Sequence, residues 1–491
     1  MLKTIVAVRA EVVAVSAEGT SSVRWVLASL SLSMLLSSLG TSIANVGLPT
    51  LALAFAASFQ EVQWVVLAYL LATTTLIVSV GRLGDMIGRR RLLLAGMFLF
   101  TLASVLCAVA PTLWLLVAAR AAQGLGAAIM MALTMAFVGE TVPKDKTGSA
   151  MGLLGTMSAI GTALGPSLGG VLIAGFGWPA IFLINVPLAI MALFLAHRFL
   201  PVDRRKAERI SFDNMGTLLL AMTLAAYALA MTVGRGSFGP LNMALVLAAI
   251  VGVGLFVLAE SKAASPLVRL AMFRNPTLRA GFAMSALVTT VVMATLVVGP
   301  FYLSGALALD AARVGLVMSS GPIVAALTGV PAGRIVDRFG AQCMSIVGLI
   351  AMAVGSFILP LLPTSFGIPG YIAPLVVITA GYALFQAANN TAVMTNIRPD
   401  QRGVVSGMLN LSRNLGLITG ASVMGTVFAF GSAATDITTA PPEAVATGMR
   451  ITFAVAAALL VVALAIASAS LASSRRAVVA NGEGEDDRGP R

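Results

Sequence analysis

Gly81-Arg82-Leu83-Gly84-Asp85-Met86-Ile87-Gly88-Arg89-Arg90 is written a second time, in degenerate form, as Gly333-Arg334-Ile335-Val336-Asp337-Arg338-Phe339-Gly340. In each copy an Asp follows the first Gly by four residues, and another Gly follows the Asp by three, with basic residues around them. The copies lie 252 residues apart, and each stands between two apolar runs of helix length. One hairpin written twice implies two similar halves. Both phrases are expected to form tight turns. Gly81, Gly88, Gly333 and Gly340 would allow close helix approach and positive φ. Asp85 and Asp337, with Arg89, would gate the molecule by holding a neighbouring helix terminus or arginine in one of two conformations. A single copy could be an ordinary polar loop; the duplication favours the gating role.

The chain has 491 residues, 58% of them hydrophobic and 10% charged. Soluble domains carry roughly 25% charged residues, so a water-soluble surface cannot be built from this composition. Most apolar runs are about 20 residues long, which spans a bilayer. The expected fold is therefore an all-α membrane protein. Cys107 and Cys343 both sit in apolar runs and read as small core residues. No Cys, His and carboxylate cluster has metal-ligand spacing. No GxxxxGK[ST] loop is present for a nucleotide. Neither a metal nor a cofactor is expected, nor a catalytic constellation.

Hydropathy gives fourteen candidate spans, arranged six, two, six. Residues 1–24 read as a cytoplasmic tail, 25–199 as a six-helix bundle and 200–278 as a linker with two extra spans. A second six-helix bundle follows at 279–472, then a disordered tail at 473–491. The repeat offset supports the insertion, since six spans of roughly 20 residues with short loops need fewer residues than separate the two copies. Of the 31 Lys and Arg, only Arg235, Arg313 and Arg450 fall in outer loops, while Arg120 and Arg413 lie within spans. The other 26 take the inner side, which puts both termini in the cytoplasm. The net charge of +12 therefore faces anionic lipid, and no nucleic acid is implied. Two similar membrane halves are the architecture of secondary transporters.

Glycines repeat as well. Gly161, Gly165 and Gly170 recur 255 residues on as Gly416, Gly420 and Gly425, with Pro166 replaced by Ala421. Small residues at this spacing let helices pack closely, and Pro166 can bend its helix. Gly161, Gly165, Pro166, Gly169 and Gly170 thus read as a packing hinge.

Four stretches carry a family resemblance. They are the Gly81 phrase, Leu116-Val-Ala-Ala-Arg120-Ala-Ala-Gln123-Gly124-Leu-Gly126, Gly161-Thr-Ala-Leu-Gly165-Pro166-Ser-Leu-Gly169-Gly170, and Trp178-Pro-Ala-Ile-Phe182-Leu-Ile-Asn185-Val-Pro187. They resemble signatures of the major facilitator superfamily, in its fourteen-helix drug/proton antiporter branch, over about residues 25–472. The resemblance implies alternating access about a midplane site in an inner membrane, a small-molecule substrate, and a proton as one candidate coupling ion. It implies no obligate oligomer, so a monomer is expected.

The resemblance places Arg120 in the cavity, near the proton or substrate path. A cation in mid-membrane costs several kcal/mol and is functional by default; the alternative is an arginine snorkelling to the interface. Gln123, one turn on, could share its partner. Arg413 falls inside a later span between Asn410 and Asn414. Gln386, Asn389, Asn390 and Asn396 cluster on another and read as a wet cavity face or as helix–helix hydrogen bonds. Asn45 belongs to the stretch Leu39-Gly40-Thr41-Ser42-Ile43-Ala44-Asn45-Val46-Gly47-Leu48-Pro49, which fits the family's first helix except that Gly40 stands where the family has an Asp.

That departure widens. None of the 19 acidic residues falls in the middle of a span. A cationic drug wants a buried carboxylate, because desolvating a cation without one is too costly. The expected substrate is therefore a small neutral or anionic organic solute, with vitamin uptake, and riboflavin in particular, as the concrete case. The alternative is proton-coupled multidrug efflux, which the Gly161 signature favours. It would need an acid such as Glu140 at the cavity.

Overall fold

The computed structural model describes residues 2–77, 79–141, 147–202, 214–233, 239–263, 273–394, 397, 402–433 and 437–486. Side chains at 2–23 and 473–486 lie outside that description, as do those of Gly81, Arg82, Asp85 and Glu140, and the whole of Asn396.

The N-terminal half comprises α1 (Leu2–Val46), α2 (Leu48–Ala54), α3 (Phe59–Ile77), α4 (Val80–Ile87), α5 (Arg89–Ala108), α6 (Leu113–Thr141), α7 (Thr147–Phe176), α8 (Ala180–Leu183) and α9 (Asn185–Phe199). Two helices follow, α10 (Asn214–Thr232) and α11 (Pro240–Lys262). The C-terminal half comprises α12 (Pro276–Phe301), α13 (Ala311–Met318), α14 (Ser320–Phe339), α15 (Ala341–Leu361), α16 (Gly367–Met394), α17 (Arg402–Thr419), α18 (Gly425–Gly431) and α19 (Pro442–Asp486). Among the described residues, 13 helical segments are long and apolar enough to cross a membrane. The helix α3 is not one of them, since Gln60, Glu61 and Gln63 occupy its first turns.

Residues 1–24 and 473–491, expected as tails, carry helix from Leu2 in α1 and to Asp486 in α19. Ala, Val, Arg and Glu dominate both stretches, and Pro is absent from the helical part of each. Two expectations need correction. Gly81 and Gly333 lie inside α4 and α14 rather than in turns. Each turn consists of one glycine, Gly88 at φ 106° and Gly340 at φ 87°. Cys107 is buried as expected, but Cys343 is exposed at the start of α15.

Gly88 and Gly340 occupy a backbone region that is open almost only to glycine and costs other residues about 1–3 kcal/mol. A methyl group on Gly340 would meet nothing within 4 Å, so only the backbone would suffer. Gly340→Ala is expected to lower the melting temperature of the purified protein by several degrees. An unchanged melting temperature would show that the turn relaxes freely.

Duplication extends into the packing. A methyl on Gly126 would sit 2.8 Å from the Gly96 carbonyl oxygen, and one on Gly381 would sit 2.7 Å from that of Gly348. The α5–α6 contact is thus repeated as α15–α16, a match the sequence reading missed. The α1–α7 contact is repeated as α12–α17. A methyl on Gly165 would lie 2.0 Å from Ser42 Oγ, and one on Gly416 would lie 1.9 Å from Thr289 Oγ1. Hydroxyls bridge both seams: Ser42 donates to the Gly161 carbonyl at 3.3 Å, and Thr290 to the Gly416 carbonyl at 3.2 Å.

The pair α10 and α11 lies at the side of the bundle. Leu241, Leu247, Ile250, Val253 and Leu258 of α11 are exposed, as suits a lipid-facing helix. The buried Asn242 ties α11 to α10, donating to the Ala230 and Val233 carbonyls at 2.8 and 2.7 Å. In turn α10 touches both halves. Trp64 Nε1 donates to the Thr232 hydroxyl at 3.1 Å, and the Tyr227 hydroxyl donates to Thr419 at 3.2 Å.

Among the described residues, the shared apolar core of the two halves gathers at one end. Call the end bearing Gly88 and Gly340 the turn end, and the other the far end. One apolar core joins the halves, and it draws Val46, Phe59, Val62, Phe301, Val314 and Phe428 from the far end. The cores near the turn end are separate. One holds Leu30, Leu93, Met130 and Leu154; the other holds Phe282, Val405 and Leu411.

Candidate substrate and gating sites

The far-end seal is built from aromatic and backbone contacts. Phe59 of α3 packs edge-on against Phe301 and Phe428, with ring centroids at 4.7 and 5.4 Å. Gln63, one turn on, donates from Nε2 to the Ala421 carbonyl at 2.9 Å. That carbonyl belongs to a π-helical turn, Gly420–Met424, between α17 and α18. Such turns are frequent at functional sites. On the other side, a methyl at Gly315 of α13 would lie 2.5 Å from the Pro166 carbonyl oxygen of α7. Thr162, one turn from Pro166 toward the turn end, is exposed, and a methyl at Gly155, two turns further, would meet nothing within 4 Å. The seam is shut at Pro166, and toward the turn end α7 carries the exposed Thr162 and the uncrowded Gly155.

Arg120 is fully buried in α6. Its guanidinium carbon lies 4.3 Å from the Tyr69 ring centroid and 5.9 Å from that of Phe182. Nε donates to the Val65 carbonyl at 2.9 Å, and Nη1 donates to Gln123 Oε1. Gln123 Nε2 donates onward to Ser104 Oγ at 2.8 Å, and the Tyr69 hydroxyl donates to the Ser37 carbonyl, also at 2.8 Å. One network therefore stitches α1, α3, α5 and α6. Nη2 of Arg120 is buried and makes no hydrogen bond. No acidic residue pairs with the guanidinium among the described residues. Burial this complete excludes snorkelling. It also means that, in this conformation, Arg120 lies beneath the cavity wall rather than on it.

The Gly40 position is closed off. A methyl there would sit 3.3 Å from Tyr69 Oη and 3.4 Å from the Phe100 ring. Two aromatic side chains thus take up the space beside the residue where the family carries a carboxylate.

In the other half, Gln386 of α16 faces Arg413 of α17. The Gln386 amide orientation that satisfies its neighbours has Oε1 accepting from Arg413 Nη1 and Nη2 at 3.0 and 3.2 Å. Its Nε2 then donates to Tyr382 Oη at 3.1 Å. All three side chains are half-buried. The rest of the expected amide cluster divides. Asn389 is buried and donates to the Gly281 carbonyl of α12 at 3.1 Å, which is helix packing. Asn390 is exposed, because consecutive helical residues point about 100° apart. Asn410 is exposed and Asn414 half-buried. Asn45 is buried and donates to the Thr41 and Ser42 carbonyls of its own helix. Of the gating residues with described side chains, Asp337 is exposed and Arg89 half-buried.

Of the candidates named from sequence, Arg120 pairs with Gln123 and Arg413 with Gln386, but the sequence reading did not place Tyr69, Ser104, Phe182 and Tyr382 around them or Gln63 in the seal. Those partners come mostly from other helices, so no spacing along the chain could signal them. Tyr382 is the exception, four residues before Gln386 on one helix face.

Comparison with known proteins agrees with this architecture. The Major Facilitator Superfamily model matches residues 30–421. The riboflavin transporter RibZ of Clostridioides difficile is 31% identical over 407 residues, which covers 83% of this chain and 88% of that protein. The multidrug resistance protein Stp of Mycobacterium tuberculosis is also 31% identical, over 404 residues, covering 80% and 73%. Among solved structures, a bacterial homologue of the lysosomal transporter Spinster, in an inward-facing and unoccupied conformation, superposes with a TM-score of 0.68 at 16% identity. That superposition covers 91% of this chain and 96% of the other. The chain belongs to the Major Facilitator Superfamily. It is a multi-pass secondary membrane transporter of small molecules, not an enzyme.

Proposed function

We propose that this carrier belongs to the fourteen-helix drug/proton antiporter-like branch and moves a small neutral or anionic organic solute, with riboflavin as the first candidate. The observation that carries the reading is the charge of the interior. Arg120 and Arg413 both stand within spans without an acidic partner among the described residues, and Tyr69 and Phe100 fill the space beside Gly40. The α3 helix supplies the fourteenth crossing, because its buried Gln60 and Gln63 face protein rather than lipid. The bundles 25–199 and 279–472 rock about a midplane site, with the pair in 200–278 alongside. The Lys and Arg asymmetry favours a cytoplasmic turn end and cytoplasmic termini, and the separate cores at that end favour an inward opening. Monomers suffice for this cycle, and Arg120 Nη2 is a donor that solute or a proton-carrying water reaches in another conformation.

Proton-coupled multidrug efflux is the competing reading, and the relatives named as drug exporters at similar identity favour it. Growth tests separate the two. A strain lacking its own pumps should gain little tolerance to quaternary ammonium dyes when it expresses this chain. Repulsion by Arg120 at about 6 Å comes to about 3 kcal/mol at an effective dielectric constant of about 20, more than about a hundredfold in affinity. A riboflavin auxotroph expressing the chain should grow at lower riboflavin. A many-fold, transport-dependent rise in dye tolerance overturns the reading. Failure of the auxotroph alone removes only riboflavin.

A further inference from the structure

We propose that Arg413, Gln386 and Tyr382 form a docking subsite for an oxyanion, a carboxylate or phosphate carried on a planar organic solute. This rests on the reading of the carrier as one for non-cationic solutes, and it names the group that the C-terminal half would hold.

The hydrogen-bond polarity of the cluster carries the inference. Gln386 has one acceptor, its carbonyl oxygen, and the Arg413 fork takes it. The Tyr382 hydroxyl oxygen accepts from Gln386 Nε2, which leaves its proton without an acceptor among the described residues. Arginine has five N–H donors and no acceptor. Three of those donors, the Tyr382 proton and the second Gln386 amide hydrogen are what the cluster offers. A surface of donors around a positive charge binds acceptors, and best of all anions. Gln386 orients the fork without cancelling its charge, as an acid would.

The placement fits a solute site. Tyr382 and Gln386 are four apart and share a face of α16. Arg413 is held from behind, because its backbone carbonyl accepts from Thr289 Oγ1 of α12 at 3.1 Å. Its side chain is half-buried, whereas Arg120 is sealed. With a rise of 1.5 Å per residue, Arg413 stands about 9 Å on the turn-end side of the middle of its span, Gly407–Gly431. That is the side on which the two halves have separate cores. A purely structural fork would give the same distances, so the test must separate charge from geometry.

Gln386→Glu does so. The variant keeps the shape and the fork but gives Arg413 a full counter-charge. A structural fork gains from the exchange, whereas an anion site is neutralised. The probes are three planar fluorophores, fluorescein (anionic), riboflavin (neutral) and ethidium (cationic), titrated onto the full-length protein in nanodiscs by fluorescence polarisation. Wild type should bind fluorescein most tightly and ethidium least. Arg413→Gln and Gln386→Glu should each weaken fluorescein at least about tenfold and leave riboflavin nearly unchanged, and Gln386→Glu should melt no lower than wild type. If wild type prefers fluorescein and both variants keep that preference, the subsite falls while the non-cationic reading stands. If wild type prefers ethidium, both fall. If wild type binds no fluorescein, the subsite is likewise overturned.

Discussion

Gly170→Val is expected to leave the chain folded in the membrane and to hold it open at the far end. A methyl group on Gly170 would lie 2.7 Å from the Ala311 carbonyl oxygen and 2.8 Å from Gly315 Cα. These are backbone atoms of the other half, so no side-chain rotation can make room. Overpacking costs about 1–3 kcal/mol even where side chains can adjust, so against backbone at least the upper figure applies. That corresponds to roughly a hundredfold loss of the sealed conformation. The fold of each half should survive, since the nearest contacts of Gly170 all lie across the seam. Gly169→Val is the contrast: its methyl would strike Val46 and Ile43 within its own half and should impair folding. The readout is a cysteine at Thr162, exposed in the present conformation, in a chain with Cys107 and Cys343 replaced by serine. An impermeant maleimide presented at the turn end should label it in the Gly170 background of wild type and much more slowly in the Gly170→Val protein. Equal labelling rates would show that this seam does not govern which end opens.

The same seam shows what the sequence could and could not disclose. Gly161, Gly165 and Gly170 were visible as one repeated set, because a constant offset to Gly416, Gly420 and Gly425 marks them. Their division of labour was not visible. Gly161 and Gly165 pack α7 onto α1 inside one half, whereas Gly170 faces the other half. Gly169 still packs on α1, so the environment changes between neighbouring residues, and only the packed bundle tells them apart. Gly96 and Gly348 stand at the same 252-residue offset as the turn phrases, but their close contacts with Gly126 and Gly381 are evident only in the packed bundle. The turns were legible in kind, since helix–glycine–helix needs one residue of positive φ. Their length was overestimated, because Gly81 and Gly333 are tolerated inside helices.

The candidate site was legible as chemistry rather than as geometry. Four of the expected side chains do pair, Arg120 with Gln123 and Arg413 with Gln386. A charged or amide side chain in an apolar span must find a partner, and the sequence exposes that need directly. It does not say whether the partner is a helix or a solute. Asn389 satisfies its need on the Gly281 carbonyl, whereas Arg413 meets an amide and stays half-exposed. The two arginines thus differ in the present conformation, one closed beneath aromatic rings and one half-buried beside Gln386.

That contrast leads to the second large effect. Arg120→Met is expected to raise the thermal stability of the protein and to abolish transport. A buried cation with no counter-charge is costly, and apolar replacement of buried charges often stabilises by about 1–4 kcal/mol. Methionine is long and unbranched enough to fill the slot between Tyr69 and Phe182. If Arg120 served only to fill the space between the rings, this variant would be as active as wild type. Function gives the charge a different value, because a solute or water that reaches Nη2 gains charge-assisted hydrogen bonds of about 1.5–3 kcal/mol each. Losing two such bonds is worth at least about a hundredfold in rate or affinity. Arg120→Lys should retain part of the activity, since one ammonium cannot reproduce the fork that engages the Val65 carbonyl and Gln123 together. The measurements are a melting curve on purified protein and whichever growth phenotype wild type confers, riboflavin rescue or dye tolerance. A stable, fully active Arg120→Met protein would reduce this residue to packing and leave Arg413 as the one intramembrane charge with a role in the solute path.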